Sequence, residues 1–135
     1  MTIDELIENF QLFDDWEDRY KYIIELGKKL PELPEKYKTD SNKVQGCVSQ
    51  VWLVINETPQ KQDEIEFLAD SDAFIVKGLV AILMIIYNHK SKKEIADINI
   101  EEIFTKLKLE GHISPSRRNG FFSMVQRIQS LSHQV

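Results

Sequence analysis

The side chain best suited to covalent chemistry is Cys47, the single cysteine of a 135-residue chain. It sits in Gln45-Gly46-Cys47-Val48-Ser49-Gln50, a small and polar stretch immediately before an apolar run. Gly46 can supply the unusual backbone angle of a tight loop tip, so one reading is a nucleophilic thiol presented on a loop. The other is a small buried hydrophobe, the commoner fate of a free cysteine. One cysteine cannot form an internal disulfide, which points to a reducing compartment.

Few other residues are placed to share that chemistry. His89, His112 and His133 lack metal-ligand spacing, and one cysteine does not complete a thiolate zinc site. His112 could act on Cys47 as a general base, because the partners of a catalytic thiol are close in space rather than in sequence. That pairing would make the chain a Cys47-His112 hydrolase or acyltransferase. Arg117 and Arg118 fall in the first turn of the last predicted helix, where a cation opposes the positive end of the dipole. Docking of an acidic partner is one reason for such a placement, and solvated surface arginine is the plainer one. Asp72 precedes the central helix and is expected to be its N-cap. No glycine-rich phosphate loop occurs, so nothing supports a nucleotide site.

The elements that must position these residues are legible from periodicity. A short helix is expected over about Thr2 to Asn9, and a longer one over Asp14 to Lys29, with Trp16, Tyr20, Ile23, Ile24 and Gly27 on one face. Pro31 and Pro34 end the helical pattern, and residues 36–42 read as a polar connection. Val51 to Ile55 is a β-branched and aromatic run that stops at Asn56, Glu57, Thr58 and Pro59; Ile65 to Ala69 follows after a polar turn. Together they predict an antiparallel hairpin, with a short strand near Lys43 to Val44 on its edge. From Ala73 the pattern returns to helix, and its residues are apolar nearly all round, which places it centrally against the sheet. Ser91 with Glu94 and Asn99 with Glu102 fit capping boxes of two short helices. Ser114 can cap a last helix with Pro115 at its first position and Phe121, Met124, Val125, Ile128 and Leu131 on one face. The fold class is therefore α+β, a small antiparallel sheet of two or three strands packed against helices, in one domain spanning 1–135.

Bulk properties set the limits. Apolar residues at 42% and charged residues at 29% are normal for a folded domain. A formal net charge of -5 argues against sequence-wide nucleic-acid binding. The first twenty residues hold seven acidic side chains and one basic one, the opposite of a targeting leader, so a cytoplasmic location is expected. The longest apolar run, Leu79 to Tyr87, is far short of the roughly 20 residues of a membrane span, and no membrane association is expected.

Four segments together carry a resemblance. They are Trp16-Glu17-Asp18-Arg19-Tyr20 with Tyr22-Ile23-Ile24-Glu25-Leu26-Gly27; Val44-Gln45-Gly46-Cys47-Val48-Ser49-Gln50-Val51-Trp52; Asp70-Ser71-Asp72-Ala73 with Ile75-Val76-Lys77-Gly78-Leu79; and His112-Ile113-Ser114-Pro115-Ser116-Arg117-Arg118-Asn119-Gly120. In this order they resemble the SufE-type cysteine desulfuration proteins, from the first helix to the last. The resemblance implies an α+β architecture shared with IscU-type scaffold proteins and a sulfur-acceptor role for Cys47. Gln45, Gly46, Ser49, Gln50, Asp72, His112 and Arg117 would then support the loop or bind the partner. It implies a SufS-type cysteine desulfurase as donor and a SufBCD-type scaffold as acceptor. The pyridoxal phosphate belongs to the donor, so no cofactor is expected here, and the chain would be an accessory carrier rather than a stand-alone enzyme. Persulfide transfer is thiol exchange and needs only a bare thiol. Val48, Val51 and Trp52 are expected to give Cys47 apolar cover, with no lysine or arginine nearer in sequence than Lys43. That setting should leave the resting thiol protonated.

Overall fold

A computed structural model describes residues 1–56 and 63–135. The element order is α1 (Ile3–Gln11), α2 (Trp16–Lys28), two 3-10 turns (Glu35–Tyr37 and Asp40–Asn42), β1 (Val51–Ile55), β2 (Phe67–Ser71), α3 (Phe74–Tyr87), α4 (Lys92–Asp97), α5 (Ile100–Lys106) and α6 (Pro115–His133). This is the expected α+β domain. Among the described residues no helix is long and apolar enough to cross a membrane.

Local chemistry sets the helix starts. Thr2 caps α1 through a reciprocal box with Glu5, and Asp15 caps α2 by accepting from the Asp18 N–H, so α2 begins two residues later than the charge pattern suggests. Arg19 then locks the α1–α2 corner, donating to the carbonyls of Phe10 (3.1 Å) and Phe13 (2.8 Å). The Ser91–Glu94 capping box of α4 is complete. At α5 only the forward half, Glu102 N–H to Asn99, is made among the described residues.

β1 and β2 pair antiparallel, Val51 opposite Ser71 and Ile55 opposite Phe67. The described sheet has these two strands, and the expected edge strand is reduced to one bridge, Lys43 to Trp52. The second strand starts later than the apolar run does. Ile65 pairs with Lys90 instead, while the Asn88 side chain bonds both the N–H (2.6 Å) and the carbonyl (3.3 Å) of Phe67. Of the expected strand stop, Glu57, Thr58 and Pro59 lie outside the described residues.

β1 lacks alternation because both of its faces are covered. Val51 and Leu53 enter the main core, whereas Trp52 and Val54 pack with Leu33 in a second cluster. Helix α3 is the centre of the molecule: from Ile75 to Met84 only Lys77 is not buried. It packs on β2, α6 and most extensively α2. At the α2–α3 crossing two glycines meet: a Cβ on Gly27 would lie 2.7 Å from the Gly78 nitrogen, and one on Gly78 would overlap the Ile23 carbonyl oxygen. The crossing is close enough that neither position admits a side chain.

Candidate functional site

The stretch that carries Cys47 is tied down at both ends. At its start the Val44 N–H donates to the Val51 carbonyl at 2.9 Å. At its end the Gln50 carbonyl accepts from the Ser71 hydroxyl (2.8 Å) and the Asp72 N–H (3.2 Å), and the Gln50 N–H donates to the Asp72 carboxylate (3.1 Å). Asp72 therefore clamps the loop and does not cap α3. The N-cap there is Ala73, with no side-chain hydrogen bond to the helix. The carboxylate expected at the helix is taken up by the neighbouring backbone.

Between the clamps, Gly46 adopts a φ of +87°, and a Cβ at that position would come within 2.6 Å of the Ser123 hydroxyl of α6. A side chain is thus excluded by backbone angle and by contact at once. This turn lays Cys47, half-buried, against α6, where its Sγ lies 3.6 Å from the Gly120 carbonyl oxygen. A Cβ at Gly120 would stand 3.5 Å from the sulfur, an ordinary contact, so the seat of the thiol does not depend on glycine there.

The sulfur borders a cavity of about 30 Å³. Val76 and Leu79 of α3 and Gly120, Phe121 and Met124 of α6 form its apolar walls; Val48, Ser49, Ser116 and Arg117 close the rest. Such a volume holds one or two water-sized groups. Burial pushes the Cys47 thiol above its ordinary range, because the thiolate loses solvation there. That direction favours the protonated thiol, and the expected source of its cover is corrected in part. Val48 borders the cavity although it is itself 88% exposed, whereas Val51 is in the main core and Trp52 faces the second cluster. The apolar walls come from α3 and α6.

The other expected site residues divide. Ser49 and Arg117 border the cavity with Cys47. Arg118 is engaged elsewhere: it pairs with Glu110 at 3.9 Å and lies over the Phe104 and Phe122 rings. His112 stacks on Trp16 with centroids 4.4 Å apart, and among the described residues no histidine lines the cavity. Gln45 is exposed. Among the described residues, no group of three or more His, Cys, Asp and Glu side chains is arranged to hold a metal.

Asp70 and Ser71 were missed as site residues. Asp70, 6% exposed, accepts from the Ser71 N–H (2.8 Å) and pairs with Lys38 and Lys77, each at 3.4 Å. It ties the 3-10 segment and α3 to the end of β2, next to the clamp on Gln50. The available signal was Lys77, a lone charge in an otherwise apolar helix.

Fold and site together define an α+β fold that carries one half-buried, loop-borne thiol. A family model described as "SufE: Fe-S metabolism associated domain" matches residues 4–132. The chain belongs to the SufE family, which is associated with iron-sulfur metabolism. An uncharacterised SufE-like protein of Rhizobium meliloti (strain 1021) is 50% identical over 130 residues, covering 96% of this chain and 93% of the relative. A second, from Rhizobium etli, is 50% identical over 129 residues, covering 95% of this chain and 87% of the relative. The fold is also that of a hypothetical protein from Thermus thermophilus solved in solution, with a TM-score of 0.78 at 16% identity, over 99% of this chain and 97% of that one.

Proposed function

We propose that this protein is a cytoplasmic sulfur carrier that accepts persulfide sulfur on Cys47 from a PLP-dependent cysteine desulfurase of the SufS type. It thereby stimulates the desulfurase and passes the sulfur to a SufBCD-type scaffold for iron-sulfur cluster assembly. The observation that carries the reading is the Cys47 site itself, a lone thiol on a clamped loop beside a small apolar cavity, in a chain of the SufE family.

The step is an exchange at sulfur. The Cys47 thiolate attacks the terminal sulfur of the donor persulfide, a new S–S bond forms to Cys47, and the donor S–S bond breaks. The donor cysteine leaves as a thiolate and takes up the proton that Cys47 gave. The sum is one persulfide and one thiol on each side, with no net oxidation. PLP belongs to the donor, and this chain needs no cofactor of its own.

Geometry supports the carrier role because the cavity beside Sγ has room for about one more heavy atom against apolar walls. Ser49 and Arg117 border that space; Gly46 sets the turn, and Gln50 with Asp72 anchors its end. Gln45 and His112, both exposed, are proposed to contact the partner.

Incubation with a cysteine desulfurase and free cysteine, followed by intact-mass and peptide analysis, tests the proposal. One added sulfur on Cys47 and faster alanine release are expected. The Cys47→Ser protein should stay folded, carry no added sulfur and give no stimulation. A serine variant that still stimulates would overturn the relay.

A further inference from the structure

Among the described residues five large apolar side chains are strongly exposed: Met1 and Val135 are the first and last residues of the sequence, and Leu12 is the C-cap of α1. The other two, Val48 at 88% and Phe74 at 78% exposed, flank the Gln50–Asp72 clamp from opposite sides. Val48 is two residues before Gln50, and Phe74 is two residues after Asp72. We infer that Val48 and Phe74 are paired apolar anchors for the sulfur donor, with the Phe74 ring received by an apolar pocket on a cysteine desulfurase. This rests on the relay reading above and adds to it the side chains that grip the donor.

The first argument is that neither residue serves the fold where it stands. One turn beyond Phe74, Lys77 pairs with Asp70, and Gly78 packs against α2, while the phenyl ring is left in solvent. Val48 likewise gains no burial from its position at the loop tip. Exposed apolar groups beside a reactive centre mark a surface that another molecule covers, and aromatic side chains dominate the binding energy of such surfaces.

The second argument is that the reaction fixes the occupant. A donor sulfur must come within bonding distance of Cys47 Sγ, and a cavity of about 30 Å³ admits no donor polypeptide. The donor must therefore close over the tip itself, and Val48 is adjacent to the reacting residue. Phe74 falls inside the same footprint. Each two-residue flank spans at most about 7 Å. The clamp bonds are 3.1 and 3.2 Å, so Phe74 lies within roughly 20 Å of Val48 along this path. An ordinary interface covers about 800 Å² per partner, a patch about 30 Å across. Arg117, on the cavity rim, adds a cation and so calls for an acidic group at the edge of the donor pocket.

The test titrates the wild-type protein, Phe74→Ala, Phe74→Leu and Val48→Ser into a PLP-dependent cysteine desulfurase with excess cysteine, reading alanine release. Phe74→Ala should raise the half-saturating concentration at least about tenfold, leave the plateau rate unchanged and be insensitive to salt. Phe74→Leu should recover most of the loss, and Val48→Ser should fall in between. Half-saturation within twofold of wild type for both Phe74→Ala and Val48→Ser, with wild type loading sulfur normally, overturns the anchors and leaves the relay standing. A wild-type protein that takes no sulfur overturns both.

Discussion

Replacing Gly46 by alanine should open the Cys47 loop, and the structure gives the size of the effect. In the closed loop Gly46 has a φ of +87°, and an added Cβ would stand 2.6 Å from the Ser123 hydroxyl. An L-residue in the left-handed region costs about 1–2 kcal/mol. The Ser123 contact adds less, since that side chain can rotate away. An opened loop is free to take negative φ, so the penalty falls on the closed state alone. The open population should then rise about 5- to 30-fold. Alkylation of Cys47 by iodoacetamide reports that population, provided opening and closing are fast compared with reaction. The double variant Gly46→Ala/Ser123→Ala removes the contact but not the dihedral cost, and should recover only the smaller part of the effect. An alkylation rate for Gly46→Ala within twofold of wild type, in a protein whose circular dichroism is unchanged, would refute the claim that Gly46 holds the thiol closed.

Three further outcomes follow from the same geometry. Burial raises the Cys47 thiol above its ordinary range, so the unfolded chain ionises first as pH rises, and the stabilisation present below about pH 8 is progressively lost above it. Denaturant melts of wild type and Cys47→Ser should diverge in that direction at alkaline pH, and a wild type that gains stability relative to the serine variant there reverses the sign and sinks the assignment. Arg117→Ala should raise the half-saturating concentration for the desulfurase about two- to fivefold at low salt and converge with wild type at high salt, the signature of an exposed charge; no change at low salt removes Arg117 from the docking surface. Gly78→Ala forces a Cβ into the Ile23 carbonyl at the α2–α3 crossing, at a cost of about 1–3 kcal/mol, and an unchanged thermal midpoint would show that the crossing is looser than drawn.

What could be read from the sequence was what is local. β1 was found with both its ends, because a five-residue apolar run with polar flanks has one simple meaning. The helix caps at Ser91 and Ser114 were found because the capping side chain and the N–H it bonds are three residues apart. The misses share the opposite property. Asp72 looked like the cap of α3, since nothing along the chain shows that the Gln50 backbone lies beside it and takes its carboxylate. The thiol's cover is expected from the neighbours Val48, Val51 and Trp52, of which Val48 borders the cavity while Val51 and Trp52 point into two different clusters. The apolar walls are Val76 and Leu79, from a helix that reads as apolar nearly all round, and Phe121 and Met124, from the apolar face of the last helix. Periodicity reveals that a face is buried, but not that a loop from elsewhere in the chain rests on it. Arg117 and Arg118 carried the same sequence signal and parted only in three dimensions, one at the cavity and one over two phenylalanine rings.

The distribution of restraint along the loop bears on how the thiol is delivered. Val44 and Gln50 are held by backbone bonds of 2.9 to 3.2 Å and by the Ser71 hydroxyl, and these attachments reach β1 and the end of β2. The Cys47 side chain, in contrast, has a single hydrogen bond among the described residues, a 3.6 Å contact from its thiol to the Gly120 carbonyl. Thiols are weak donors, so that contact belongs at the low end of the roughly 0.5–1.5 kcal/mol of an ordinary hydrogen bond. The five residues between the anchors are long enough, at about 3.3–3.6 Å each, to carry the tip some 8 Å out from its base. A partner that covers Val48 and Phe74 therefore has little to overcome at the tip and need not disturb the anchors. An open state would then differ from the observed one by the position of one side chain and its turn, and association would shift the balance by its differential contacts. Strong ends with a weakly held tip would let the proposed carrier expose its thiol within a complex without unfolding any element of the core.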